Sequence, residues 1–115
     1  MITVLGAIAG FFAVALGAFG AHTLGETMSD KATGWWETAT LYLLVHAALA
    51  TALSAHNAEK FGASAAILLA GAVLFAATLY AMALGAPRWF GAITPIGGLG
   101  MLAGWAMIAW AALKA

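Results

Sequence analysis

FGASAAILLAGAVLFAATLYAMALGAP, Phe61 to Pro87, contains no Asp, Glu, Lys or Arg. A bilayer core of about 30 Å needs about 20 consecutive, mainly apolar helical residues, and this run can supply them. Working outward, Thr38 to Ala58 and Trp89 to Leu113 flank it with the same property, and Met1 to Gly25 repeats it. An ionic side chain at mid-membrane costs at least about 2.5 kcal/mol, so keeping charge out of all four runs reads as selection by lipid. The expected fold is all-α: a polytopic membrane protein forming one antiparallel four-transmembrane-helix bundle over residues 1–115. Its helices are expected at about 3–22, 35–56, 62–85 and 95–113.

Composition excludes several alternatives. Hydrophobic residues make up 65% of the chain, charged residues 7%, and the mean hydropathy is +1.03. A soluble surface normally carries about 25–35% charged residues, so this chain cannot make one. The absence of cysteine excludes disulfides, thiolate metal sites and cysteine nucleophiles. A net charge of zero leaves no electrostatic footprint for nucleic acid. The first run competes with a signal peptide, having small residues at Ala18 and Gly20. It lacks a basic residue ahead of its apolar core, however, and exceeds the roughly 7–15 apolar residues of a typical signal, so an uncleaved span is expected.

Local signals place the boundaries. Ser29 and Asp30 are suited to cap the second helix, and Trp35 and Trp36 fit an interfacial aromatic belt, with Glu37 near a helix start. His56 to Phe61 is short enough to make helices two and three antiparallel neighbours. Gly85-Ala-Pro-Arg-Trp-Phe-Gly91 forms the last connection, after which Thr94 reads as an N-cap with Pro95 at the first helical position. Small residues recur four apart at Gly6 and Gly10, Ala13 and Gly17, Ala72 and Ala76, and Gly100 and Gly104, which predicts close helix packing. Orientation is undecided: Lys60 and Lys114 on one side balance Lys31 and Arg88 on the other.

Sorting polar residues by depth gives a lopsided bundle. His22, Thr38, Thr40, Tyr42, Thr78, Tyr80 and Thr94 all fall toward the face that carries the first and third loops. His46 lies about 15 Å deeper along helix two, stacked by spacings of four under Tyr42 and Thr38. The candidate intramembrane cluster is therefore His22, Tyr42, His46, Thr78 and Tyr80. A histidine in mid-span is a candidate proton relay, ligand contact or metal ligand. The plainer reading is a neutral imidazole bonded to Tyr42, Thr78 or a carbonyl on the next helix, and it is favoured because no span supplies an acidic partner. Metal and haem sites are not expected, since His22 and His46 lie at very different depths.

A second candidate is an anion or lipid-phosphate site at the start of helix four, made of Arg88, Thr94, Gly97 and Gly98. The competing reading has Gly97 and Gly98 simply letting helix four pack closely on helix one or two.

These residues resemble those of the small membrane-protein family known as domain of unknown function 423, which includes eukaryotic transmembrane protein 256. The matching pieces are Gly17-Ala-Phe-Gly-Ala-His22, Tyr42 with His46, Leu74-Phe75 through Leu79-Tyr80, Ile93-Thr-Pro-Ile-Gly-Gly98, and Gly104-Trp105. The chain departs from the family pattern at Leu43, where a polar residue is usual, and at Ala76-Ala77-Thr78, where Ser-Gly-Ser is usual. The resemblance implies the fold and no activity. Two functions are expected to compete. One is a non-catalytic accessory subunit packed against a larger respiratory or photosynthetic membrane complex. The other is a homo-oligomeric binder or transporter of lipid or a small solute, using the polar face around His46. The expected partners are membrane lipids and other membrane subunits or further copies, with no nucleic acid and no cofactor. The expected location is the bacterial inner membrane. With no carboxylate in the spans and no Ser–His–acid set, no general acid/base pair for an enzyme is expected.

Overall fold

The computed structural model describes residues 1–24 and 26–114. In hydrocarbon the backbone must satisfy its own hydrogen bonds, and the apolar runs accordingly become helices. α1 spans Ile2–Phe19 and loosens into a π-helical turn at Gly20–Leu24. α2 spans Asp30–Ala83, a 3₁₀ turn comes next at Arg88–Ala92, and α3 spans Thr94–Leu113. No strand occurs among the described residues. Among the described residues, three helical segments are long and apolar enough to cross a membrane: Ile2–His22, Asp30–Ala83 and Arg88–Leu113.

The break expected between helices two and three falls inside α2, at a single residue. Laid straight, the 54 residues of α2 would reach about 81 Å at 1.5 Å each. The molecule's longest extent is 49 Å. α2 is interrupted at Asn57, whose φ of −157° and ψ of 87° are not helical. The Asn57 Oδ1 accepts the Lys60 backbone N–H at 3.0 Å, capping the helix that resumes at residue 58. The first arm (30–56) and second arm (58–83) therefore lie alongside one another, and Thr40 reaches Tyr80 across the pair at 2.6 Å. The expected turn over 56–61 is compressed into Asn57, because a side-chain cap there replaces a loop. At its other end, the first arm begins earlier than expected. Ser29 Oγ accepts from the Ala32 N–H at 3.1 Å, as a cap should, and the helix starts at Asp30.

Small residues bring the helices together. A Cβ added to Gly6 would meet the Thr51 hydroxyl and lie 3.2 Å from the Thr51 nitrogen, and one on Gly17 would sit 2.9 Å from Thr40 Cγ2. These contacts seat α1 on the first arm, whose Ala39, Ala47 and Ala50 are fully buried. The second arm meets α3 backbone to backbone. A Cβ on Gly71 would lie 2.7 Å from both the Gly97 oxygen and the Met101 nitrogen. One on Gly97 would lie 2.5 Å from the Phe75 nitrogen and 2.6 Å from the Gly71 oxygen. Gly97 thus packs closely, as one reading expected, but against the second arm and not against helix one or two. Gly98 has nothing near its missing Cβ.

Among the described residues α1 and α3 do not pack on each other. The first arm stands between them, and a groove of about 760 Å³ remains open between α1 and the second arm. Its lining is apolar apart from Tyr80, with Ile8 and Phe12 on one wall, Leu69 and Val73 on the other, and Leu43 between.

The glycine crossing makes a sharp contrast testable. Gly97→Val should destabilise the protein by about 1–3 kcal/mol through overpacking, read from reversible unfolding in detergent. Gly98→Ala should be neutral or slightly stabilising, since it removes backbone freedom without a clash. Equal effects at the two positions would disprove the close crossing.

Candidate functional site

The deepest polar residue is tied on both sides. His46 lies in the middle of the first arm and is 6% exposed. Its Nδ1 is 2.7 Å from the Tyr42 carbonyl oxygen one turn back, and its Nε2 accepts the Trp105 indole N–H at 3.0 Å. A carbonyl only accepts and an indole N–H only donates. The two bonds together assign the proton to Nδ1 and a lone pair to Nε2, the neutral imidazole. A relay would have to load Nε2 with a proton and lose the Trp105 bond. The Tyr42 ring runs parallel to the imidazole, 8° apart with centroids at 6.0 Å, and also packs on Phe75 at 4.9 Å.

The remaining members of the expected cluster separate into other helix seams. The Tyr80 hydroxyl pairs with Thr40 Oγ1, joining the two arms of α2. Thr78 Oγ1 lies 2.7 Å from Thr94 Oγ1 and also reaches the Phe75 carbonyl at 2.9 Å, joining the second arm to α3. His22 is exposed in the π-helical turn and takes part in none of these bonds. Three members of the cluster thus sit in separate pairs at three different seams: His46 with Trp105, Tyr80 with Thr40, and Thr78 with Thr94.

Trp36 has a different role from the one expected. It is 4% exposed, with its ring buried inside the bundle. Its Nε1–H donates to the Leu16 carbonyl at 2.7 Å, and its ring meets Tyr80 edge-on at 4.6 Å. The π-helical turn of α1 begins four residues beyond that carbonyl, at Gly20, where a Cβ would collide with the indole. Trp35 keeps an interfacial character, with Lys31 Nζ 5.6 Å from its ring centroid. At the other end of the bundle Thr3 Oγ1 and Ser54 Oγ pair at 2.8 Å.

The expected anion site at the start of α3 does not assemble. Thr94 is the first residue of the helix and not its cap, and its hydroxyl turns back toward Thr78 and the Phe90 carbonyl. The 3₁₀ turn leads almost directly into α3, so the Ile93 and Ile96 N–H groups already bond Phe90 and Ile93 carbonyls at 2.9 Å. Gly97 is buried against the second arm, and Arg88 is exposed on the 3₁₀ turn. The backbone donors an anion would need are partly spent.

Sequence reasoning misses Trp105 and Trp36 as partners. The signal is present: an indole N–H in an apolar run has no water to bond and must find an acceptor at its own depth. His46 offers one side-chain acceptor in mid-bundle, and Leu16 offers a carbonyl where α1 loosens.

Comparison with known proteins places the chain among small membrane proteins. The family model described as Protein of unknown function (DUF423) matches residues 16–98. UPF0382 inner membrane protein YgdD of Escherichia coli is 40% identical over 115 residues, covering 96% of this chain and 88% of that protein. A UPF0382 membrane protein of Haemophilus influenzae is 44% identical, covering 94% and 90%. One from Staphylococcus epidermidis is 39% identical, covering 96% and 93%. No solved structure matches.

The His46–Trp105 pair predicts a measurable coupling. Trp105→Phe keeps an aromatic ring but removes the donor, and should cost about 1 kcal/mol of stability. A double-mutant cycle with His46→Leu, read by unfolding in detergent, should return a coupling of about 0.6–1.7 kcal/mol. Strictly additive effects would show that the bond contributes nothing.

Proposed function

This chain belongs to the membrane-protein family described as Protein of unknown function (DUF423), and from that premise we propose a small, non-catalytic accessory subunit packed against a larger membrane complex of respiratory or photosynthetic type. In this reading α1, the two arms of α2 and α3 each cross the bilayer as a four-helix bundle in the bacterial inner membrane, the location named for the Escherichia coli relative.

The observation that carries the proposal is how the polar groups are used. His46, Tyr80, Thr78 and Thr94 are engaged with other parts of the same chain, which leaves little polar chemistry for turnover or transport. What the bundle leaves open is apolar: the groove between α1 and the second arm. Association in lipid proceeds through close van der Waals contact, and a groove that this fold does not fill from within suits a neighbouring transmembrane helix.

One observation favours the second reading, a homo-oligomeric lipid or solute binder. Tyr42 and Trp105, which flank His46, are 41% and 47% exposed, so the edge of this aromatic group is open to the surroundings.

Native electrophoresis of endogenous protein in mild detergents separates the two. The accessory-subunit reading expects migration with a large complex, and Ala77→Trp, which fills the groove, should shift the protein to a small species while its unfolding midpoint stays within a few degrees. Migration solely as a small free species in several detergents would refute it. His46→Ala should leave solute flux in reconstituted vesicles unchanged; altered flux with intact assembly would favour the second reading instead.

A further inference from the structure

At the Asn57 end of the molecule a separate cleft of about 540 Å³ lies between the start of the second arm and the end of α3. Glu59, Lys60 and Ser64 line it from the arm, and Met107, Trp110 and Lys114 from α3. Ser64 is 3% exposed. Among the described residues its hydroxyl makes no hydrogen bond and no side-chain oxygen is sealed in the interior without a partner, so its remaining accessible surface opens into the cleft. Thr51 and Ser54 near the same end behave differently, each donating to the carbonyl four residues back at 2.7 Å. A buried hydroxyl with no partner among the described residues, in a cleft also lined by two lysines, is a donor arrangement suited to an anion.

We propose that this cleft holds the phosphodiester of an anionic lipid headgroup, with the Ser64 hydroxyl donating to a phosphate oxygen and Lys60 and Lys114 supplying positive charge. Position supports a lipid source. The cleft sits where helix ends meet, and Trp110, 65% exposed, carries an aromatic ring at the level where interfacial rings accumulate. Juxtamembrane lysines attract anionic lipid by their charge, and a hydroxyl fixes the bound oxygen. Glu59 in the same cleft discriminates among phosphates. Its carboxylate repels a dianion more than a singly charged diester, and it accepts a hydrogen bond from a headgroup hydroxyl such as that of glycerol. This site lies at the opposite end of the bundle from Arg88 and Thr94, and it stands whether or not the protein is an accessory subunit.

Native mass spectrometry of protein released from nanodiscs of equal phosphatidylglycerol and phosphatidylcholine provides the test. Wild-type protein should retain phosphatidylglycerol at least about tenfold over phosphatidylcholine. Lys60→Gln with Lys114→Gln should abolish that preference, and Ser64→Ala should reduce it several-fold. All three positions leave the glycine crossing intact, and Arg88→Gln should keep the full preference. Equal retention of the two lipids, or full preference in the double variant, would overturn the site. Displacement of the lipid by inorganic phosphate would overturn the lipid assignment and leave a soluble-anion site.

Discussion

In hydrocarbon a side-chain donor or acceptor has no water to return to, so a polar group within the bilayer must find its partner inside the chain or expose the cost to lipid. This protein meets the constraint by distributing its polar residues among the seams between helices. Trp36 to the Leu16 carbonyl and Thr3 to Ser54 join α1 to the first arm; Thr40 to Tyr80 joins the two arms. His46 to Trp105 and Thr78 to Thr94 hold α3. Each such bond contributes only about 0.6–2 kcal/mol. Their value lies in direction, since a hydrogen bond fixes rotation and register where apolar packing alone tolerates sliding.

Small residues make these bonds reachable. A Trp indole can cross to a histidine on another helix only when the backbones come close, and the reciprocal contact of Gly71 with Gly97 brings α3 against the second arm. The consequence is an uneven bundle. α1 is held closely against the first arm, as α3 is against the second, and it leaves the groove beside it open. The groove and the tied-down polar groups are two outcomes of the same economy of contacts.

Much of the architecture is legible residue by residue. Absent charge locates the helices, Ser29 marks a start, and stripes of Ala and Gly mark faces that pack. The candidate cluster is legible as types and depths but not as pairs. His46 stands out as a polar residue in mid-span, yet its donor sits 59 residues away on α3. Trp36 looks interfacial because tryptophan near a helix start usually is, and only the missing Cβ of Gly20 makes room to bury it. The anion site misleads for a related reason. Thr94, Pro95 and two glycines describe an open helix start until a preceding 3₁₀ turn closes it and Gly97 turns inward.

By itself, then, the sequence determined that this chain lives in lipid as helices, because the cost of burying charge depends on composition along the chain and on nothing else. Membership of the family rests on the same linear information. Tertiary structure alone decided which polar groups face one another, that the turn expected over 56–61 shrinks to the single residue Asn57, and which faces remain uncovered. Those outcomes depend on distances between residues far apart in the chain, and a hydrogen bond or a backbone crossing exists only over a few ångströms.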